Sequence, residues 1–203
     1  MQRARSGDEP AGPTREICIC IDDFGLTEGI NEAALHLAGM CRVHAIGCLV
    51  GAPCWRPGSR QLKRFDAKRL DVGLHLDLTQ CPILVKPSSS MVRLIAASQS
   101  GLLARRGVRA EIRAQLDEFE RTMGHAPAFV DGHQHVHQFP IVRHELLDEL
   151  DRRYPPMRPW LRSTRRSATA ALLHPSWCGI VKGWLIAQLG LRGSPRSATQ
   201  TVA

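Results

Sequence analysis

Ile17-Cys18-Ile19-Cys20-Ile21-Asp22-Asp23-Phe24-Gly25 is the stretch on which the reading of this chain turns. Its apolar residues predict a buried strand over Glu16–Ile21, which ends abruptly on two adjacent carboxylates. A strand sends neighbouring side chains to opposite faces, but at a fraying end both can turn toward one cleft. One carboxylate can then ligate a metal while the other moves protons beside it. For an isolated Asp-Asp, a solvated turn capping the next helix is the plainer alternative. Histidines in equivalent places downstream favour the site.

Outward from this strand, short apolar runs alternate with helical patterns, the signature of a mostly parallel α/β sheet. Thr27 predicts an N-cap for a helix reaching Met40, with Ile30, Ala33, Ala34, Leu37 and Ala38 at helical spacing. Val43–Val50 reads as the second strand and Leu70–Leu76 as the third, with a short helix over Gln61–Phe65 between them. Lys86–Ser90 reads as a surface loop. Val108–Met123 is amphipathic and Gly124 is placed to cap it. A fourth strand follows over Ala128–Asp131, then a helix over Pro140–Arg153, a fifth strand over Trp160–Ser163 and a last helix over Trp177–Leu189.

Three of these strands end in metal-capable or acid–base residues. They are Asp22 and Asp23, then His75 in Gly73-Leu74-His75-Leu76-Asp77-Leu78-Thr79, then Asp131-Gly132-His133-Gln134-His135-Val136-His137. Parallel α/β folds gather the C-terminal strand ends on one face, where ligands bind. One carboxylate and two imidazoles leave open positions on a divalent ion for water and substrate. Strand alternation would set His133, His135 and His137 on one face, and not all three are expected to ligate one ion. His75 taken alone reads as a hydrogen-bonded core residue, and the histidine alternation taken alone as surface display. Asp131 is placed to accept from a ligating imidazole and fix its tautomer.

These three blocks, in their order and spacing, resemble the signature blocks of the YdjC-type (ChbG/HpnK-like) carbohydrate deacetylases, with the likeness running from about Glu16 to Leu189. The resemblance implies a (β/α)-barrel-like fold related to polysaccharide deacetylases. It implies one divalent metal ion (Mg2+ or Zn2+) held by Asp23, His75 and His133, with Asp22 as the acid–base carboxylate. It implies a metal-dependent hydrolase that removes an acetyl group from N-acetylated sugars, on an oligosaccharide or a glycolipid. The chemistry suits the residues: a metal makes a better nucleophile of water and polarises the acetyl carbonyl. Asp22 would accept the water's proton, and His135 or His137 would protonate the leaving amine. A homodimer is compatible with this reading.

The chain departs from the family pattern in two places. Cys20-Ile21 stands where Asn-Ala commonly precedes the Asp pair. Family members also run well beyond 203 residues, with further strands and a late His-Pro-Gly-type block. His174-Pro175 is followed by Ser176 and is not read as that block. The expected organisation is therefore a disordered leader over 1–15, a deacetylase-like (β/α) domain over 16–189 that is incomplete at its C-terminal end, and an unstructured tail over 190–203. A truncated or frameshifted product of a longer gene fits that pattern.

Composition bounds the alternatives. No apolar run reaches the ~20 residues that span a bilayer, and the N-terminus lacks the apolar core of a signal peptide. Seven cysteines, an odd number with no Cys-x-x-Cys pair, read as buried free thiols in a reducing cytoplasm. The net charge of +8 is uneven: residues 152–203 carry nine cations and no acid. That segment could form an anionic-partner patch, or lack acidic neighbours that a longer chain supplies. It shows no nucleic-acid motif, and no nucleic-acid partner is expected. A phosphoesterase could use the same Asp and His set, but no Gly-rich phosphate cradle is evident. A non-catalytic carbohydrate binder is the third class.

Overall fold

A computed structural model describes residues 17–87 and 90–163. The leader at 1–15, the helix expected over Trp177–Leu189 and the tail at 190–203 lie outside the described residues. Strands β1 (Cys20–Phe24), β2 (Ala45–Cys48), β3 (Asp71–Leu76), β4 (Phe129–Gly132) and β5 (Trp160–Leu161) lie side by side in chain order, all parallel. Every crossover therefore steps in the same direction. With the usual right-handed connection, the helices fall on one face of the sheet. This is the local order of a (β/α) barrel, not of a doubly wound sheet, whose strand order reverses.

The connecting helices are α1 (Glu28–Gly39), α2 (Trp55–Leu62), α3 (Met91–Gln99), α4 (Arg105–Met123) and α5 (Pro140–Arg153). Thr27 caps α1 as expected, its Oγ1 accepting from the Ile30 amide at 3.2 Å. Gly124 ends α4 in the left-handed conformation, with φ 85°. Helix α2 begins six residues before the Gln61–Phe65 helix expected from sequence. Pro57 and Gly58 read as breakers there, yet Pro57 sits in the first turn, where amides have no intrahelical partner to lose.

The two faces of the sheet do different jobs. Ile46, Cys48, Val72, Leu74, Leu76 and Val130 join Ile112, Leu116, Phe119, Val142 and Leu146 of the helices in one buried core. Each such side chain is worth about 1.5–3 kcal/mol when fully buried, so the helix-facing side carries most of the sheet's stability. The strand register sets Gly47, Gly73, His75 and Asp131 on the other face. There Phe129 stacks on Trp160 with centroids 4.5 Å apart. The ring of Phe129 occupies the room left by Gly73, where a Cβ would lie 2.4 Å from it.

The expected division of charge is resolved within the described residues. Arg152, Arg153, Arg158 and Arg162 all pair with acids from earlier in the chain. Between α4 and α5, the buried carboxylates of Glu145 and Glu149 receive Arg109 at 2.6 Å and Arg113 at 2.8 Å. The cysteines differ from expectation. The six described ones are free thiols, but only Cys48 is buried. No helix among the described residues is long and apolar enough to cross a membrane.

Candidate metal centre

Strand β1 does not fray at Ile21 but continues through both carboxylates to Phe24. Its register with β2 shifts between Ile21 and Phe24, and Asp23 takes a left-handed φ of 64°. A bulge of this kind re-aims a side chain, and a non-glycine residue holds such a φ only where its surroundings fix it. This is how two consecutive carboxylates come to serve one cleft. Beyond them, Phe24 rejoins the sheet opposite Cys48.

The second correction concerns the histidine block. Strand β4 ends at Gly132, and His133–Gln138 forms a 3-10 turn with Gln134 and His135 at left-handed φ values of 52° and 61°. The turn replaces the expected strand alternation, so the three imidazoles do not share one strand face. His133 Nδ1 comes to 2.8 Å from Asp23 Oδ1. His75 Nε2 approaches the same Asp23 oxygen at 3.3 Å, and the rings of His75 and His133 meet edge to face with centroids 5.6 Å apart. His137 is buried, and its Nε2 donates to the Arg162 carbonyl at 3.0 Å.

Asp23, His75 and His133 each offer a ligand atom, and the three atoms lie within 4.8 Å of one another. The site suits a divalent cation in its details. His75 Nδ1 is 2.6 Å from Asp131 Oδ1, which fixes Nδ1 as the protonated nitrogen and aims Nε2 at Asp23. Gly47 makes room for that pair: a Cβ there would lie 3.3 Å from His75 Nδ1. His133 Nε2 is buried with no hydrogen-bond partner among the described residues. One carboxylate and two imidazoles form a donor set that several divalent ions accept.

Sequence reasoning missed Arg162. It follows β5 as the other site residues follow or end their strands, and the same positional rule could have found it. Its Nη1 and Nη2 each lie 2.7 Å from an oxygen of Asp22. Nη2 is also 3.0 Å from Asp131 Oδ2, an ion pair that is not aligned as a hydrogen bond.

These contacts set the charges. Burial alone would raise the pKa of Asp22, but the Arg162 guanidinium, helped by His75 and the Cys20 thiol, outweighs it and holds the carboxyl below its ordinary value. Hydrogen bonding from His75 does most to hold Asp23 low, against its partial burial. Burial would make His75 less basic, yet Asp131 and Asp23 push it up to about 9. His135 and His137 move the other way. Burial lowers both, with Arg162 adding to the effect at His135, and His137 falls to about 4.

The loop after β3 is fixed by three buried polar side chains. The Asp77 carboxylate accepts from the amides of Thr79, Gln80 and Cys81 at 2.7, 3.1 and 2.6 Å. Gln115 of α4 grips both backbone groups of Asp77. One turn nearer the start of α4, Glu111 accepts from the amides of Ile83, Leu84 and Val85 at 2.6, 2.6 and 3.0 Å.

The fold and the cluster define an α/β protein with a candidate metal centre at the C-terminal ends of a parallel sheet in chain order. The sequence pattern of the YdjC-like proteins matches residues 16–197, and the chain belongs to that family. It is 31% identical over 168 residues to a carbohydrate deacetylase of Geobacillus stearothermophilus, covering 78% of this chain and 65% of the relative. It is 29% identical over 143 residues to a carbohydrate deacetylase of Danio rerio, covering 64% of this chain and 45% of the relative. The matched region thus spans about half to two thirds of these relatives. A crystal structure from Enterococcus faecalis V583, provisionally described as a cellobiose-phosphate cleavage protein, shares the fold with a TM-score of 0.58. That match has 21% identity and covers 78% of this chain and 62% of the other.

Proposed function

We propose that this protein is a metal-dependent carbohydrate deacetylase that hydrolyses the acetamide of an N-acetylated sugar, on an oligosaccharide or a glycolipid. The observation that carries the reading is the Asp23–His75–His133 donor set with an ionised Asp22 held beside it. Membership of a family with relatives named carbohydrate deacetylases supports it. Asp23, His75 and His133 would hold one divalent ion, zinc or magnesium. When bound, that ion would polarise the acetyl carbonyl and make water a stronger nucleophile.

The chain's own residues carry the proton chemistry. Asp22 is the base: its Oδ1 accepts from both Arg162 and the Cys20 thiol, whereas Oδ2 accepts from Arg162 alone among the described residues and keeps a lone pair for the attacking water's proton. Its lowered pKa keeps it ionised at neutral pH, at the expense of base strength. We assign the acid for the leaving amine to His135. Its ring is partly open to solvent, its buried Nδ1 makes no hydrogen bond among the described residues, and its lowered pKa makes it a ready proton donor once it has taken up a proton. His137 is committed to the Arg162 carbonyl and holds that residue in place. The free thiols fit a reducing compartment, and we place the protein in the cytoplasm.

The test is acetate release from a panel of N-acetylglucosamine derivatives, with and without chelator. Release that stops on chelation and returns with Zn2+ or Mg2+ is expected. No release from any member of the panel by metal-loaded protein would sink the assignment.

A further inference from the structure

Asp22, His75 and Asp131 form a second set of donor atoms within 4.8 Å of one another, sharing His75 with the first. Asp131 is fully buried, and its Oδ2 makes no hydrogen bond among the described residues. Such a pair of carboxylates beside an imidazole would ordinarily draw a cation. A cation is already there. The Arg162 guanidinium spans the set, 2.7 Å from both oxygens of Asp22 and 3.0 Å from Asp131 Oδ2.

The backbone and side chain of Arg162 are both tied down. Its amide donates to the Val130 carbonyl at 3.3 Å, and its own carbonyl accepts from His137. Arginine cannot lose its proton at any working pH, and its planar fork matches a carboxylate in two parallel bonds. Charge points the same way. Asp22, Asp23 and Asp131 carry three negative charges between them; one divalent ion and one guanidinium cancel them, because an imidazole that ligates an ion must be neutral.

We propose that Arg162 is the permanent occupant of the second cation position and that its guanidinium limits the centre to a single divalent ion. This rests on the metal-binding reading given above. Removing the guanidinium leaves a negative charge uncompensated and frees Asp22 and Asp131 as ligands, so a second ion should enter.

The experiment is titration of chelator-stripped protein with Mn2+ alone. Bound metal is counted by elemental analysis, and paired ions are detected by their spin coupling in electron paramagnetic resonance. Wild type should take up one equivalent without coupling, Arg162→Ala two equivalents with coupling, and Arg162→Lys one. Arg162→Gln, which keeps a donor toward Asp22 but no charge, carries the expectation of two should Arg162→Ala fail to fold by circular dichroism. Two equivalents in the wild type, or one in both neutral variants, would overturn the inference and leave the metal reading standing. No uptake by the wild type would overturn both.

Discussion

His75 Nδ1 lies 2.6 Å from Asp131 Oδ1, and both side chains are almost wholly withdrawn from solvent. An imidazole held this way has one tautomer and one orientation, so its other nitrogen is prepared before any ion arrives. Loss of such a supporting carboxylate typically costs ten- to a hundredfold in metal affinity. Asp131→Asn should weaken Mn2+ binding by roughly that factor, measured by competition with a chelating dye. Affinity within twofold of wild type would show that Asp131 does not organise the ligand.

Asp22 has a different task. As the proton acceptor it should be dispensable for metal uptake and needed for turnover. General-base catalysis is worth about 10²–10⁴ in rate. Asp22→Asn should lose acetate release by roughly that amount while still binding the ion. Turnover at the wild-type rate would end the assigned role.

His135 and His137 can be separated kinetically. His135→Gln should lower kcat with little change in KM or thermal stability. His137→Leu should lower Tm, since it removes a buried donor from the Arg162 carbonyl. The reverse pattern would exchange the two roles.

Glu149 links the fold to pH. Burial would raise its pKa, but Arg152 and Arg113 outweigh this and hold it below 4.5. The folded state therefore binds the proton less readily than the unfolded chain. Its stabilising contribution is present above pH 4.5 and is lost as pH falls through the lowered folded value. The Tm of Glu149→Gln should lie below that of wild type at pH 7, and the gap should close as the pH falls below 4.5 and through the lowered folded value. A gap that stays constant with pH would show that the ion pairs contribute nothing.

Gly73 tests the packing beneath the site. A Cβ there would meet the Phe129 ring at 2.4 Å, and that ring is pinned by Trp160. Overpacking of this kind costs about 1–3 kcal/mol. Gly73→Ala should lower Tm by several degrees, and a second change, Phe129→Leu, should recover part of the loss. An unchanged Tm in Gly73→Ala would mean that the ring moves freely.

Much of the fold was legible because burial leaves a pattern. The apolar runs at β1, β2, β3 and β4 and the stripe along α4 announce themselves by composition and period. Asp22, Asp23, His75 and His133 stand out as candidates because polar residues at the ends of such runs are conspicuous, and the fold brings them to one cleft. Arg162 does not, because β5 is only two residues long and its arginine sits among several others of similar appearance. The bulge at Asp23 and the left-handed pair Gln134 and His135 were also hidden. Neither position holds the glycine that usually marks such backbone, and the conformation is imposed by the surrounding sheet. Helix α2 was displaced for the opposite reason: its Pro57 and Gly58 look prohibitive until their place in the first half of the helix is known.

Glu111 and Gln115 reach from one helix to residues 77 through 85, the connection that leaves the His75 strand. The amides they hold belong to a surface connection, yet freeing them leaves a buried carboxylate and a buried amide without partners. Local fraying of this loop is therefore costly, and its opening is coupled to that of the middle of α4 as one cooperative unit. The rim beside His75 is therefore expected to open only together with the helix that holds it, and not as an independent surface loop.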